Sequence, residues 1–433
     1  MAAARSVSFH DAGVRAPLLR LVNAAGAAFA RAGLALPRLD EEGLLAAARR
    51  RTGLQDFGEG SFREGLGALV TSLREEARLS TLGRVAARGQ LLGHLCSRLA
   101  VVDWVRRHPE VREERIERPL VVIGLPRTGT TLLSNLLSLD PLLRAPLFWE
   151  TREPCPPPDL ATRGEDPRIA AAAREIRRLY RLVPAMRAMH PMGASLPNEC
   201  VTLLALDFRC LQFETQFPAP GYGRWLEGAD PRPAYRMHRL VLQLLQSRLP
   251  TQGWSLKTPN HLWQLPTLLE FYPDARLVWT HRDPARVVPS VASLVSAFHR
   301  TFCREVDPRR VAADWNAKLR LGLDRALAFD RAQGGKDWCF HLPYAELVED
   351  PLRAVRRLYA HFGDEVGPLH ERRMRAWLRE TPAELHGRHR YELADFGLAP
   401  GALSEQYADY RARFDVPAEG AGPDARRPAS GVS

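Results

Sequence analysis

Two short stretches carry the side chains best suited to chemistry. The first is Gly124-Leu-Pro-Arg127-Thr-Gly129-Thr-Thr131, which follows the β-branched run Val121–Ile123 and precedes an apolar helical pattern. A strand, a glycine-bearing turn and a helix N-terminus form a cradle for phosphate, because free backbone N–H groups and the helix dipole favour negative charge there. Arg127 adds a fork of donors and Thr130 and Thr131 add hydroxyls, so Pro126, Arg127, Thr128, Gly129, Thr130 and Thr131 are the candidate binding set. The bland alternative is an ordinary strand-to-helix turn capped by threonine. The second stretch is Trp279-Thr-His-Arg282-Asp-Pro-Ala-Arg-Val-Val-Pro-Ser290. Arg282 falls just past a predicted strand and Ser290 in the next helix, so both can meet a second phosphate at the carboxyl edge of a parallel sheet. An Arg282–Asp283 ion pair with a solvated serine is the alternative.

The first loop keeps the glycine spacing of the G-x4-G-K-[ST] phosphate loop, but Thr130 stands where the lysine belongs and the cation has moved to Arg127. Such a loop can hold a phosphate and is poorly built to work on the γ-phosphate of ATP. Lysine is scarce throughout. Of 61 basic residues only Lys257, Lys318 and Lys336 are lysines, so wherever one is kept a compact ammonium is expected to matter. Lys257 sits at the end of a predicted strand, in Leu-Lys-Thr-Pro-Asn-His261; a solvated strand-end lysine is the alternative.

The net charge of +11 invites a nucleic-acid reading, but the arginines are spread along the chain without an aromatic-interleaved stripe. A basic pocket for an anionic small molecule fits better, and no nucleic-acid partner is expected. Six cysteines are scattered without a C-x-x-C pair, which reads as reduced thiols in a cytoplasmic protein and not as a zinc site. No run reaches the ~18–20 apolar residues of a membrane-spanning helix.

The elements that must position these residues follow from periodicity. Residues 17–115 read as helical, with breaks at Thr52-Gly53 and Gly58–Ser61. This extension either packs on the core or mediates contacts in a homodimer. After the strand-loop-helix at 119–139 come predicted helices at 167–189, 198–213 and 233–249. Alternation resumes with strands at Trp254–Lys257, Ala275–His281 and Trp338–Leu342, and helices at His261–Phe271, Ala285–His299, 309–333 and 351–362. This is α/β: a P-loop-like three-layer fold around a central parallel sheet, with an N-terminal helical extension over 1–116, a main domain over 117–415 with a helical insertion at about 160–250, and a disordered tail over 416–433.

With both motifs in place, residues 118–362 resemble the sulfotransferases that use 3′-phosphoadenylyl sulfate (PAPS), in particular a bacterial group similar to tyrosylprotein sulfotransferases. Gly124–Thr131 matches their 5′-phosphosulfate loop, and Arg282 and Ser290 their 3′-phosphate pair. The resemblance implies sulfuryl transfer from PAPS to a hydroxyl or amine of a small-molecule acceptor, without a metal. It implies a catalytic role for Lys257 and nucleotide contact by Tyr344, for which a core tyrosine is the alternative. Two residues compete as the base. Glu150, in Leu-Phe-Trp-Glu-Thr, lies two residues late relative to the tyrosylprotein pattern; pairing with Arg127 or Arg144 is its alternative. His261 follows Lys257-Thr258 two residues later than in cytosolic relatives, and a locally hydrogen-bonded helix start is its alternative. Asn198-Glu199 and His190-Pro191 begin an inserted segment that can face the acceptor or cap a helix. Gly387–Tyr391 resembles a basic loop that closes the 3′-phosphate site. Trp149, Met186, Met189, Phe208, Phe213 and Phe217 suit either a hydrophobic acceptor or a helix core. A kinase using ATP and magnesium and a basic binding protein without catalysis are the rival readings.

Overall fold

The computed structural model describes residues 7–8, 17–31, 36–334, 337–381, 389–390 and 392–419. Lys336, Gly387, Arg388, Tyr391 and the tail from residue 420 lie outside these, and for His389 and Arg390 only the backbone is described. At the centre is an all-parallel sheet of β1 Leu120–Gly124, β2 Leu143–Arg144, β3 Gly253–Lys257, β4 Arg276–His281 and β5 Cys339–Pro343, ordered β2-β3-β1-β4-β5. Every residue of β1 and β3 is buried. Strands covered on both faces need no apolar–polar alternation, which is why β1 reads as a continuous apolar run. Register aligns the strand ends: Val122 pairs with Lys257, and Gly124 with Thr280. The loop after Gly124, Lys257 and Arg282 therefore leave the sheet at one edge, its carboxyl edge.

Before the sheet come α1 Glu41–Thr52, α2 Phe62–Glu75 and α3 Thr81–Arg107. The break at Gly53 has a direct cause: its φ of 72° is left-handed, and its N–H reaches back to the Arg49 carbonyl. Ser80 caps α3 by accepting from the Gly83 N–H at 3.0 Å. These helices share one apolar cluster with the sheet and insertion, in which Leu44, Leu66 and Leu95 join Val121, Val241 and Leu323. A buried ion pair crosses the same junction: Arg98 on α3 donates to Asp207 at 3.0 Å and to the carbonyls of Phe57, Leu206 and Glu59.

After β1 come α4 Thr130–Leu137 and α5 Phe148–Arg152, then the insertion, which closes with α6 Arg232–Gln246. The helix predicted at 198–213 is broken. It forms Val201–Leu204, a 3-10 turn at Ala205–Asp207, and restarts at Gln212. Asp207 is committed to Arg98 and Arg209, and Phe208 takes a left-handed φ of 55°, its carbonyl held by the Tyr222 hydroxyl at 2.8 Å. The helix predicted at 167–189 likewise breaks after Leu182, beside Pro184, and resumes at Met186–Met189. His261 lies in a 3-10 turn, Pro259–Gln264, and the α-helix begins only at Leu265. After β4 and before β5 run α7 Pro284–Phe302 and α8 Pro308–Ala332. The two-residue strand β2 and helices Tyr344–Glu349, Pro368–Glu380, Pro400–Gln406 and Ala408–Arg413 were not expected. Among the described residues, no helix is long and apolar enough to cross a membrane.

Candidate active site

The loop after β1 is held by its own side chains. Gly129 has φ 88° and precedes α4; a Cβ there would lie 2.9 Å from Leu347 and 3.1 Å from the Tyr344 ring, so both conformation and space require glycine. Arg127 also has a positive φ, 69°, an uncommon conformation for a non-glycine residue. Thr128 is fully buried; its hydroxyl donates to the Leu125 carbonyl at 2.7 Å and lies 2.6 Å from the Thr280 hydroxyl. Its side chain ties the loop to β4. Thr130 is buried and Thr131 half-buried at the first turn of α4.

Around this loop the predicted phosphate residues converge. Arg127 Nε donates to Ser290 Oγ at 3.0 Å, and its Nη1 donates to the Met189 carbonyl. Arg282 Nη1 donates to the Arg127 carbonyl at 3.1 Å, and its guanidinium lies 4.0 Å from the centre of the Tyr344 ring. Tyr344 therefore touches both Arg282 and the face of Gly129. Arg282 does not pair with Asp283. It binds the Glu419 carboxylate, with Nε and Nη2 each 3.0 Å away, while Arg286 stands 3.9 Å off. Asp283 instead caps α7 by accepting from the Ala285 N–H at 3.0 Å, and its other oxygen accepts the Glu419 N–H at 2.8 Å. Arg282 is thus partnered by a carboxylate of the chain itself.

A second group forms at the end of β3. Lys257 is buried, and its Nζ lies 2.7 Å from Glu199 Oε1; the Thr258 hydroxyl donates to Glu199 Oε2 at 3.3 Å. The Cys200 N–H donates to the Lys257 carbonyl at 2.9 Å, which fixes the Glu199 segment against the strand. Burial pushes the Glu199 carboxyl up, but Lys257, His190 and the two hydrogen bonds outweigh it and hold the carboxyl below its ordinary range. Desolvation pushes His190 down to about 4; Glu199 opposes this, and Lys257 and Arg127 add to it. Arg127, His190, Glu199 and Lys257 thus form one electrostatic group between the phosphate loop and the insertion. Lys318, the other described lysine, also makes a buried pair, 3.0 Å from Glu214.

The two residues predicted to compete as base sit differently. Glu150 is fully buried, accepts from Arg144 Nη2 at 2.9 Å and from the Leu147 N–H at 3.0 Å, and so caps α5. The Arg144 pairing left open above is the one observed. His261 is fully buried too, with Nδ1 at 2.7 Å from the Tyr235 hydroxyl. Burial first and the nearby His238 second hold it neutral, well below the ordinary range. Trp149, Met186, Met189, Phe208, Phe213 and Phe217 are all buried, and except for Trp149 all belong to the main apolar cluster. Sequence reasoning noticed Glu199 without choosing it; only its proximity to Lys257, 58 residues downstream, singles it out.

This arrangement can hold an anionic ligand along one edge of the sheet and present a carboxylate beside an ammonium at its end. Comparison with known proteins agrees. Residues 119–368 match the sulfotransferase family. The chain is 28 % identical over 254 residues to omega-hydroxy-beta-dihydromenaquinone-9 sulfotransferase Stf3 of Mycobacterium tuberculosis and of Mycobacterium bovis, a match covering 57 % of this chain. It spans only 62 % of the length of those curated relatives. Among solved structures, sulfotransferase STF9 from Mycobacterium avium superimposes with a TM-score of 0.82 at 33 % identity, over 89 % of this chain and 99 % of that one. Sulfotransferase STF1 from Mycobacterium tuberculosis H37Rv gives 0.77 at 31 %, over 86 % and 99 %. With a family match over more than half its length and structural likeness over most of it, the chain belongs to the sulfotransferase family.

Proposed function

We propose that the protein transfers the sulfuryl group of PAPS to a hydroxyl or amine of a small acceptor. The observation that carries this reading is the Lys257–Glu199 pair, set at the carboxyl edge of the sheet beside the Arg127 loop. Pro126, Arg127 and the first turn of α4, with Thr130 and Thr131, hold the 5′-phosphosulfate; Thr128 and Gly129 shape that loop. Arg282 and Ser290, with Tyr344 alongside, take the 3′-phosphate. The reading is supported by the close approach of Gly129 to Leu347 and Tyr344, which sets Tyr344 beside the loop, and by the carboxylate that Arg282 already binds.

Lys257 steadies the charge that develops on the transferring and leaving oxygens. Glu199 accepts the acceptor's proton as the new sulfur–oxygen bond forms and the bond to the nucleotide breaks, leaving adenosine 3′,5′-bisphosphate. In this role Glu199 takes precedence over Glu150, whose oxygens are held by Arg144 and the Leu147 N–H, and over His261, which is fully buried with Nδ1 on the Tyr235 hydroxyl. No metal enters this chemistry. Six cysteines free of disulfides support a reducing, cytoplasmic setting. Because the named Stf3 relatives act on an omega-hydroxy menaquinone, a hydroxylated apolar metabolite is the first acceptor class to try.

Calorimetric titration with adenosine 3′,5′-bisphosphate is expected to give micromolar binding that Arg127→Ala abolishes, and labelled sulfate should pass from PAPS to a hydroxylated acceptor. Tight ATP–magnesium binding with no affinity for the bisphosphate would replace this reading with phosphoryl transfer.

A further inference from the structure

Behind the Lys257–Glu199 pair lies a second cluster that sulfuryl transfer does not use. Cys200 Sγ and one ring nitrogen each from His238 and His261 lie within 4.8 Å of one another, and all three residues are fully buried. They come from three places: the residue before helix Val201–Leu204, α6, and the turn after β3. We propose that Cys200, His238 and His261 bind a zinc ion, which clamps the insertion to the end of β3.

Both histidines are oriented as metal ligands are. His261 Nδ1 lies 2.7 Å from the Tyr235 hydroxyl, and His238 Nδ1 lies 2.7 Å from the Tyr272 hydroxyl. Each tyrosine fixes its imidazole and leaves Nε2 directed away, as outer partners of metal-bound histidines do. Those two Nε2 atoms are buried and lack any hydrogen-bond partner. A sealed polar nitrogen without a partner is costly, and each of these two clustered histidines carries one. One cation satisfies both.

Tetrahedral zinc, with bonds of about 2.0–2.1 Å to nitrogen and about 2.3 Å to sulfur, holds its ligand atoms roughly 3.3–3.7 Å apart, so the three atoms, within 4.8 Å of one another, close inward by on the order of 1 Å on loading. Imidazole and thiolate together suit zinc better than magnesium or calcium, which prefer oxygen. On loading, the Cys200 S–H bond breaks, the sulfur–zinc bond forms and the proton leaves to solvent. The ion does not touch the acceptor. Its effect is positional, because Cys200 follows Glu199 directly and its N–H holds the Lys257 carbonyl. The two residues of the reacting pair would thus be tied to one buried centre. The inference does not depend on the sulfuryl-transfer reading.

The test uses the full chain produced in zinc-supplemented medium and dialysed against metal-free buffer. Elemental analysis is expected to find about one zinc per chain, and Cys200→Ser and His238→Gln are each expected to lower zinc affinity by about tenfold or more. Circular dichroism and thermal unfolding of the variants report whether they remain folded. If they do not fold, the native chain refolded with cobalt(II) should show a thiolate-to-cobalt charge-transfer band. A metal-free native protein that takes up neither zinc nor cobalt on refolding overturns the proposal, and so does one that carries copper without zinc.

Discussion

The two walls of the site are built on opposite plans. The wall we propose for phosphate is local: Gly124 to Thr131 is one turn between a strand and a helix, fixed by the Thr128–Leu125 hydrogen bond and by the space at Gly129. The opposite wall is assembled from distance. Glu199 meets Lys257 58 residues away, and the segment between them folds against α3 through Arg98 and Asp207, 109 residues apart. A local site needs only its own turn to be right. An assembled one depends on the whole helical layer, so the two walls should fail in different ways.

The largest difference should appear in catalysis. Glu199→Gln is expected to lower kcat by about 10²–10⁴-fold without weakening bisphosphate binding. Glu150→Gln should instead lower the unfolding midpoint while keeping kcat in the surviving folded protein. Steady-state rates with bisphosphate titrations decide this, and the reverse pattern would move the proton acceptor to Glu150. Next in size is the helical junction. Asp207→Asn leaves Arg98 buried without its charge partner, a change expected to cost about 3–5 kcal/mol in denaturant unfolding. A loss below about 1 kcal/mol would mean that the N-terminal helices are only loosely coupled to the assembled wall.

The third effect is acid sensitivity, which per pH unit is smaller than the loss at Asp207. Burial pushes His94 on α3 down to about 3, with Arg152 adding to the shift. Burial likewise pushes His299 on α7 down to about 4, although the backbone of Glu214 opposes it. Both stay neutral in the folded protein, whereas the unfolded chain protonates them below their ordinary value. Stability should therefore fall as pH drops from about 6.5 towards 4, by about 1.4 kcal/mol per pH unit for each histidine. Urea midpoints that do not move between pH 7 and pH 5 would sink this expectation.

The same contrast explains what could be read without coordinates. The parallel strands, the loop, and the order of Arg282 and Ser290 were legible because strand periodicity and turn chemistry are properties of neighbouring residues. The break at Ala205–Phe208 was not, since it follows from Arg98 capturing Asp207. The two-residue strand β2 is too short to show a period. Glu150 looked catalytic because its place after the first helix matched a pattern; what occupies it is Arg144, which also touches the carbonyls of Leu245 and Leu249. Glu199 carried no comparable signal, because nothing near it in the chain reveals that Lys257 will lie 2.7 Å away.

In the proposed reaction, that lysine–glutamate contact couples the donor to the proton balance of the site. Lys257 cannot give its full charge both to Glu199 and to an arriving anion. As anionic oxygens draw on the ammonium, Glu199 loses the partner that holds its carboxyl below the ordinary range, and its proton affinity rises where a proton must be received. Linkage makes the effect mutual: whatever factor the donor adds to proton uptake at Glu199, mild acidification adds to donor affinity.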